Sequence, residues 1–458
     1  MNINTIKAVY FIGAGGIGMS ALVRFFLAKG KAVGGYDHTS SVLTKKLIEE
    51  GADIHYEEDT TLISKTFKDK NTTLVVYTPA IPSEHKELTF FRDNNFTIMK
   101  RAQVLGMISE TGKALCVAGT HGKTTTSTMA AHILHQSHVS CNAFLGGISK
   151  NYGTNLLLSK TSDYIVIEAD EFDRSFHWLS PYISVITATD ADHLDIYGTK
   201  EAYLESFRHY TSLIREGGAL IIHKGLELKP DLKNSVKLYT YAKDEGDFHA
   251  ENIRIGNGEI IFDYISPLGN IKDIKLGVPV LINIDNGIAA MALAQMAGAG
   301  SEEIRNGMTS FKGDERRFDF ALKNDHVALL SDYAHHPEEI KQSILSLRAL
   351  YPNRKLTAIF QPHLYTRTRD FYKDFAESLS LLDEVILIDI YPAREKPIPG
   401  VTSQLIYDNI QPNVKKRLCH KEDLTKILET EKKDIVIVLG AGDLNDMIPE
   451  FTEILKQK

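Results

Sequence analysis

Short runs of aliphatic and β-branched residues recur along the chain, and most are followed by a turn and then by a segment of helical periodicity. This alternation is typical of α/β domains with parallel sheets, in which helices connect neighbouring strands. Glycines, acids and histidines stand where many of the runs end, at the edge where open α/β sheets bind ligands. The predicted strands are Ala8–Ile12, Lys31–Tyr36, Leu74–Tyr77, Ala114–Ala118, Tyr164–Ile167, Ile183–Thr189, Val327–Leu330, Leu356–Phe360, Glu384–Asp389 and Asp434–Leu439.

The run that ends at Ala118 leads into the sequence Gly-Thr-His-Gly-Lys-Thr-Thr-Thr at residues 119–126, and a helical segment follows. Glycines let backbone N–H groups converge on phosphate oxygens, and a helix N-terminus adds partial positive charge. Lys123 would then contact the β- and γ-phosphates of a nucleotide, and Thr124 would coordinate Mg²⁺. Val117 occupies the place of the first glycine of the usual motif, so the loop has the shorter G-T-H-G-K-T form. The alternative is a glycine turn with a solvated lysine.

A second glycine-rich turn, at residues 13–18, follows the first predicted strand and opens a helical segment. Asp37 ends the next strand about 20 residues further on, where a ribose-binding acid is expected. The pattern predicts binding of NAD or of another nucleotide diphosphate, and the alternative is a tight turn without a ligand. Two prolines force a loop that begins at Thr78. Arg101 is either a surface charge or a contact to a diphosphate.

Four carboxylates, on Glu168, Asp170, Glu171 and Asp173, follow the strand that ends at Ile167. Like charges at this density repel one another unless cations bind, so Mg²⁺ is the simplest explanation, against a solvated acidic turn. The next strand leads into a similar run of acids that contains His193. This histidine would contact metal or phosphate, unless its role is structural.

Histidines and arginines follow the strands of the last third of the chain. Arg316 and Arg317 lie on a predicted hinge and suit a phosphate, although such a pair is often merely solvated. Asp332-Tyr-Ala-His-His336 follows one strand, and Gln361-Pro-His-Leu-Tyr-Thr-Arg367 follows another. If the strands are parallel, one ligand-facing edge gathers His335, His336, His363 and Arg367.

These features predict three α/β domains in the 458 residues. Residues 1–104 would form an N-terminal Rossmann-like domain, and residues 105–313 a central domain with the mixed sheet of a P-loop ATPase. Residues 314–458 would form a C-terminal Rossmann-like domain with a doubly wound sheet.

The composition excludes several classes of protein. A formal net charge of −7 without a dense cluster of Lys and Arg argues against a nucleic-acid partner. The three cysteines, Cys116, Cys141 and Cys419, form no zinc or disulfide pattern, which favours a reducing compartment. The first residues do not resemble a signal peptide, and no apolar run is long enough to span a membrane. We therefore expect a cytoplasmic protein without a membrane partner.

Taken together, six strings resemble those of the ATP-dependent Mur ligases of peptidoglycan synthesis: G-T-H-G-K-T-T-T, E-A-D-E, D-x-D-H-L-D-x-Y, F-x-G-x-x-R-R-F-D, D-Y-A-H-H-P and F-Q-P-H-x-Y-T-R-T. The resemblance covers nearly the whole chain and implies successive domains for a UDP-sugar, ATP and an amino acid. It also implies that ATP converts the lactyl carboxylate of UDP-N-acetylmuramate into an acyl phosphate, which L-alanine then attacks. The first glycine turn would accordingly bind UDP instead of NAD.

The resemblance implies a role for each matched residue. The UDP moiety would be bound by Gly15, Gly16, Gly18, Asp37, Thr78 and Arg101. ATP would be bound by Gly119, Thr120, His121, Gly122, Lys123, Thr124, Thr125, Asn283, Asn286, Arg317 and Asp332. L-alanine would be bound by Tyr333, His336, His363 and Arg367. Two Mg²⁺ ions, for which Mn²⁺ could substitute, would be held by Thr124, Glu168 and His193. The catalytic residues would be Lys123, which neutralises phosphate charge, and His193 or His336, which accepts the amine proton. We expect a monomer or a weak homodimer.

Two positions depart from the pattern of the family. Ile282 stands where a histidine usually precedes Asn283, and Leu364 stands where arginine is frequent. The first change concerns the adenine site and the second concerns the site for the amino-acid carboxylate.

Other functions stay open on the sequence alone. An NAD-dependent oxidoreductase would explain the first glycine turn but not Lys123 or the acids. A murein-tripeptide recycling ligase, or a ligase of the folylpolyglutamate type, would share the ATPase core and use another acceptor. A nucleotide-binding regulator without enzymatic activity is a further alternative.

Overall fold

A computed structural model describes residues 5–190, 194–256, 258–315, 317–393 and 395–458 of the chain. The chain divides into two compact units. The first comprises Met1–Glu251, Tyr264–Lys272 and Asp285–Ser310, and the second comprises Asn252–Asp263, Asp273–Ile284 and Phe311–Lys458. Each of the three predicted domains contains one main sheet. The α/β fold class is confirmed, and the predicted domain boundaries stay a prediction.

The N-terminal sheet has the strand order β3-β2-β1-β4-β5, and all of its strands are parallel. Both faces of β1 are buried, because Val9 and Phe11 belong to one apolar cluster while Ala8, Tyr10 and Ile12 belong to another. This explains why the strand is a continuous apolar run. The elements are β1 (Ala8–Ile12), α1 (Ile17–Ala28), β2 (Ala32–Tyr36), α2 (Val42–Glu49), β3 (Asp53–His55), β4 (Thr73–Tyr77), α3 (Lys86–Asp93), β5 (Thr97–Lys100) and α4 (Arg101–Ser109).

The central sheet has the order β12-β11-β10-β6-β9-β7-β8. Only β8 is antiparallel to its neighbour among the pairs described, so the predicted mixed sheet is confirmed. The elements are β6 (Lys113–Ala118), α5 (Lys123–Gln136), β7 (Asn142–Ser149), β8 (Thr154–Leu157), β9 (Tyr164–Glu168), β10 (Pro181–Ile186), α6 (Leu194–Tyr197), α7 (Lys200–Ser212), β11 (Ala219–His223) and β12 (Lys237–Tyr241). Because β9 and β10 flank β6, their carboxyl ends lie beside the loop that follows β6.

A small sheet and two helices connect this part of the chain to the C-terminal part. The sheet consists of β13 (His249–Gly256), β14 (Glu259–Ile265) and β15 (Ile271–Lys275), and the helices are α8 (Asn283–Met296) and α9 (Ser301–Ser310).

The C-terminal sheet has the order β16-β17-β21-β18-β19-β20, in which β16 is antiparallel and the others are parallel. The elements are β16 (Asp319–Lys323), β17 (Ala328–Asp332), α10 (Pro337–Leu350), β18 (Leu356–Phe360), α11 (Tyr365–Leu379), β19 (Glu384–Leu387), α12 (Gln404–Asn409), β20 (Lys415–Leu418), α13 (Leu424–Thr430), β21 (Ile435–Leu439) and α14 (Ile448–Lys456). Short 3₁₀ turns occur at Lys65–Phe67, Phe172–Trp178, Lys421–Asp423 and Asp443–Met447. Each of the ten strands predicted from the sequence in Ala8–Leu439 corresponds to a strand here. In the described part of the chain, no helix has the length and apolar character needed to cross a membrane.

A buried ion-pair cluster stabilises the edge of the C-terminal sheet. The Lys433 side chain is 3% exposed, and its Nζ lies 2.5 Å from Glu384 and 2.9 Å from Glu431. Hydrogen bonds from Lys433 and Arg417 lower the pKa of Glu431 from its ordinary value of 4.5 to about 2. The ion pairs of Glu431 therefore contribute stability that is present at neutral pH and is lost as the pH falls from 4.5 towards 2.

We expect Lys433→Met to lower the free energy of unfolding by about 2 kcal/mol at pH 7, because a carboxylate is left buried with fewer cations. Urea denaturation at pH 7 and at pH 3 checks this, and the deficit should shrink at the lower pH. Lys456→Met is the matched control, because Lys456 pairs with Glu453 on the surface. A deficit in that variant as large as in Lys433→Met would contradict the interpretation.

Candidate active site

The phosphate loop, residues 119–126, connects β6 to α5 as predicted. Gly119 (φ 136°) and Gly122 (φ 78°) both have backbone conformations that side chains disfavour. A Cβ atom on Gly122 would also lie 2.6 Å from the Asn286 Oδ1 atom, and one on Gly119 would collide with Thr187. Gly122 is the N-cap of α5 and has no side chain to cap the first amides of the helix. These amides can therefore donate to a phosphate.

Lys123 is held inside the loop. Its Nζ donates to the Gly119 carbonyl oxygen at 2.6 Å and lies 2.8 Å from Glu171 Oε2. Burial alone would lower the pKa of Lys123, but the neighbouring carboxylates of Glu171 and Glu168 raise it above its ordinary value. The lysine is therefore charged at neutral pH, beside the amides that would receive the phosphates.

The acidic cluster is largely neutralised by cations of the protein itself. Asp170 lies 3.2 Å from Arg101, Glu171 pairs with Lys123, and Asp173 lies 2.9 Å from Lys100. These pairs relieve much of the repulsion on which the sequence argument for Mg²⁺ relied. The number of acids therefore does not by itself require a metal.

Glu168 is the acid that is best placed for a metal near the loop. It is the last residue of β9 and pairs in register with Val117, two residues before Gly119. Its carboxylate occupies space beside Gly146, where a Cβ atom would collide with it. Glu168 and Thr124 offer oxygen ligands, which Mg²⁺ prefers, and this ion usually takes few carboxylates and completes its shell with waters and phosphates.

The described residues contain no group of three His, Cys, Asp or Glu side chains that could hold a metal without such help. The donors present fit an Mg²⁺ ion that is held mainly by nucleotide phosphates. His193, the third predicted ligand, lies outside the described residues, as does Arg316 of the predicted hinge. The ligand set therefore stays a prediction.

The glycine turn of the N-terminal sheet contacts three of the polar residues predicted for the UDP site. The Gly15 amide donates to Asp37 Oδ2 at 2.7 Å. A Cβ atom on Gly18 would lie 2.6 Å from Arg101 Nη1, and one on Gly13 would lie 2.8 Å from Thr78 Cγ2. Gly16 is the N-cap of α1. The structure thus brings together Asp37, Thr78 and Arg101, which are far apart in the sequence.

A cleft of about 170 Å³ lies between α1 and the central sheet in the first unit. Its lining includes Gly18 and Arg101 at the glycine turn, and Glu168 and Asp170 at the end of β9. Leu22, Leu105 and Phe144 supply apolar surface between them. The cleft therefore connects the predicted site for the sugar nucleotide with the acid beside the phosphate loop.

The other loop residues have defined partners. The Thr120 hydroxyl lies 2.9 Å from the Tyr203 hydroxyl, and the His121 carbonyl oxygen accepts from Thr187. Thr125 lies in the first turn of α5. Asn286 Oδ1 accepts from the Thr126 hydroxyl at 3.3 Å, so one of the two asparagines predicted for the ATP site contacts the loop. Asn283 belongs to the second unit, where its side chain donates to the Val278 carbonyl oxygen at 3.1 Å.

The second unit brings most of its predicted residues to one strand edge. Tyr333 follows β17 and lies 5.3 Å from the Arg317 guanidinium and 5.2 Å from the His335 ring. His335 lies 6.1 Å from His363, whose Nδ1 is 3.5 Å from Arg367 Nη1. The ring of His336 instead contacts Phe371 of α11 at 5.1 Å.

Two of these groups have shifted pKa values. Burial raises the pKa of Asp332, although Ser343 donates to its carboxylate. Burial lowers the pKa of His335, which is therefore neutral at physiological pH.

Two contact residues, Tyr203 and Tyr391, were not predicted for the site, and Glu171 was predicted only as one of the four acids for Mg²⁺. Glu171 holds Lys123, Tyr203 contacts Thr120, and Tyr391 stacks on His363 at 5.8 Å. Glu171 and Tyr391 occur in polar runs at predicted strand ends, which was a usable signal. Tyr203 lies within α7, and nothing in its local sequence indicates the contact.

The chain belongs to the Mur ligase family. Residues 8–113 match the domain described as "Mur ligase family, catalytic domain", residues 117–294 the "Mur ligase middle domain", and residues 316–442 the "Mur ligase, glutamate ligase domain".

Its relatives include UDP-N-acetylmuramate–L-alanine ligases. The chain is 73% identical to that of Phocaeicola vulgatus, with 100% of both chains covered. It is 61% identical to that of Parabacteroides distasonis, with 99% of this chain and 98% of the relative covered. The crystal structure of the UDP-N-acetylmuramate–alanine ligase of Thermotoga maritima matches with a TM-score of 0.82 at 25% identity, covering 98% of this chain and 99% of that one. A murein peptide ligase of Psychrobacter arcticus shares the fold, with a TM-score of 0.65 at 19% identity and 99% of both chains covered.

Proposed function

We propose that this chain joins L-alanine to the lactyl carboxylate of UDP-N-acetylmuramate and converts ATP to ADP and phosphate. The observation that carries the proposal is the cleft that connects Gly18 of the glycine turn and Arg101 with Glu168 beside the phosphate loop. Asp37 is held at the same turn by the Gly15 amide. A sugar nucleotide whose diphosphate is bound at the turn could extend its acid towards the nucleotide phosphates. The reaction would take place in the cytoplasm, as a step of peptidoglycan precursor synthesis, in a monomer or weak homodimer.

The first step brings two anions together, because the lactyl carboxylate attacks the γ-phosphate of ATP. The charged Lys123 and the free amides of α5 would stabilise the negative charge that develops on the phosphoryl oxygens. Thr124 and Glu168, with His193, would hold Mg²⁺, and this ion supplies further positive charge when it is bound. The carboxylate thereby becomes an acyl phosphate, and the bond between the γ-phosphorus and the bridging oxygen breaks, with ADP as the leaving group.

The second step requires an uncharged amine, which attacks the acyl carbon and expels phosphate. Arg367, beside His363, suits the carboxylate of the incoming amino acid. His336 or His193 would accept the proton of the amine. Leu364 separates His363 from α11 and has a φ of 72°, which is strained for leucine. Its amide donates to the Tyr391 carbonyl oxygen at 3.0 Å. This hydrogen bond holds the backbone segment that leads from His363 into α11.

Phosphate release tests the proposal. Purified protein is incubated with ATP and Mg²⁺, with or without UDP-N-acetylmuramate. Each mixture also receives one candidate amine: L-alanine, glycine, L-serine or murein tripeptide. We expect phosphate release that requires both UDP-N-acetylmuramate and L-alanine. Release that depends on the tripeptide would favour the recycling reaction, and reduction of NAD by the purified protein would favour an oxidoreductase; either result contradicts the proposal.

We expect His363→Ala to raise the KM for L-alanine at least about tenfold and to change the KM for ATP much less. The variant removes a ring that packs between Tyr391 and Arg367, and one charge-assisted contact is worth about 1.5–3 kcal/mol. Steady-state kinetics with each substrate varied in turn checks this. His326→Ala, at an exposed position of the same domain, is the control and should match the wild type. Equal increases in both KM values for His363→Ala would contradict the assignment.

A further inference from the structure

A buried group of three titratable side chains lies below the glycine turn, on the other face of the N-terminal sheet. Glu87 of α3 is fully buried, and the Tyr10 hydroxyl donates to its Oε2 at 2.8 Å. His55 Nε2 lies 2.7 Å from the same hydroxyl and 3.3 Å from Glu87 Oε1. Nothing in the proposed mechanism uses this cluster, which we call the Glu87 cluster.

The contacts of the Glu87 cluster are all satisfied as hydrogen bonds when the cluster holds one extra proton. His55 Nδ1 lies 2.8 Å from the Glu57 carbonyl oxygen, which can only accept, so Nδ1 carries a hydrogen. The Tyr10 hydroxyl has a single hydrogen and donates it to Glu87. Its oxygen must then accept from His55 Nε2, which makes the ring an imidazolium beside a carboxylate. If the hydroxyl donates to His55 instead, Glu87 must carry the proton. Both arrangements contain one proton more than a neutral histidine with an ionised glutamate.

The surrounding groups leave this proton within the cluster. Burial raises the pKa of Glu87 to about 7. Hydrogen bonds from the Tyr10 hydroxyl and the Asp59 backbone act against this rise, and the negative charges of Glu58 and Asp59 add to it. The negative charge of Asp53, on β3, also raises the pKa of Tyr10. His85, the N-cap of α3, packs on Tyr36 at 4.7 Å, and burial lowers its pKa. His85 is therefore neutral and does not compete for the proton near neutral pH.

The cluster is linked to the sugar-nucleotide site through the ends of β2 and β3. His55 is the last residue of β3 and pairs in register with Tyr36, the last residue of β2. The next residue, Asp37, donates its amide hydrogen to the His55 carbonyl oxygen at 3.1 Å. Its carboxylate accepts from the Gly15 amide. A displacement of His55 would therefore change the position of Asp37 against the glycine turn.

We propose that Glu87 is a positioning residue for the sugar nucleotide, because the proton that it shares with His55 and Tyr10 keeps the end of β3, and with it Asp37, in place. The inference rests on the proposed function, which assigns the turn to UDP. Above neutral pH the cluster loses its proton, and Glu87 and His55 then present acceptors to each other at close range. Affinity for the sugar nucleotide therefore falls as the pH rises, by up to about tenfold per pH unit for one proton.

Calorimetric titration of the full-length protein with UDP-N-acetylmuramate from pH 6 to pH 9, without ATP, tests the inference. We expect the wild-type Kd to rise about tenfold across this range. Glu87→Gln, which keeps the size of the side chain and a hydrogen-bond donor, should keep the Kd that the wild type has at pH 6 and lose the pH dependence. Glu84→Gln removes an exposed acid from the same segment and should behave as the wild type. Binding of ATP should have the same pH profile in all three proteins.

A Glu87→Gln variant with the pH dependence of the wild type would overturn the inference and leave the proposed function intact. A parallel change in ATP binding would also overturn it, because it would indicate a general effect on stability. Absence of sugar-nucleotide binding by the wild type at every pH would overturn the proposed function and this inference together.

Discussion

Lys123→Ala is expected to reduce phosphate release from ATP by a factor on the order of 10³, while UDP-N-acetylmuramate still binds. Removing one preformed contact to developing charge costs about 2.7–4 kcal/mol in well-studied sites, and here the contact carries a full charge. Lys123 lies beside the free amides of α5. The glycine turn that would bind UDP contacts Asp37, Thr78 and Arg101 and does not involve Lys123.

The design must separate lost chemistry from lost stability, because the variant leaves Glu171 buried without its lysine. The double variant Lys123→Ala/Glu171→Gln removes the stranded carboxylate, and we expect it to regain stability but not activity. Lys113→Ala is the matched control, since Lys113 is exposed at the opposite end of the same strand. Phosphate release is measured with all substrates present, and sugar-nucleotide binding is measured by calorimetry. Substantial turnover in the double variant would remove Lys123 from the mechanism.

The glycine motifs could be predicted because their information is local. Gly119 and Gly122 are needed for their backbone conformations, and the loop that they form is set by the consecutive residues 114–126. The same holds for the turn at residues 13–18. Even the close approach of Asp37 to Gly15 follows from a spacing that parallel strands impose.

The acidic cluster could not be predicted in the same way, because its partners are distant in the sequence. The cations of Lys100 and Arg101 come from the end of β5 and the start of α4, and that of Lys123 comes from the start of α5. A sequence shows that four acids are close together, but only the fold shows which of them face a lysine or an arginine. The inference from repulsion to Mg²⁺ was therefore weaker than the composition of the segment indicated.

Several strands also lacked a local signal. β3, β16 and β20 are short and have few fully buried residues, since they lie at sheet edges where one side faces solvent. The conformation of Leu364 was equally inaccessible, because a positive φ is unusual for leucine and the backbone bond that accompanies it goes to Tyr391, which is distant in the sequence.

Glu168→Gln should reduce turnover about 100-fold or more and raise the Mg²⁺ concentration required for half-maximal activity. The substitution keeps the size of a side chain that fits against Gly146 and replaces the charged carboxylate assigned to the metal with a neutral amide, whose oxygen is a weaker ligand for Mg²⁺. Turnover is measured against Mg²⁺ concentration at saturating ATP, and again with Mn²⁺, which binds nitrogen and neutral oxygen ligands more readily and should restore part of the activity.

Asp173→Asn decides whether the effect belongs to Glu168 or to the acidic segment as a whole. Asp173 lies five residues further along the chain and pairs with Lys100, 2.9 Å away. If protein cations neutralise this acid, its loss leaves the Mg²⁺ requirement unchanged and lowers turnover little. Equal losses in the two variants would instead mean that the acids bind cations collectively, and the assignment of the metal to Glu168 beside the phosphate loop would be wrong. A shifted Mg²⁺ requirement in Glu168→Gln alone ties the ion to the residue that pairs in register with Val117, at the point where the strand turns into the loop.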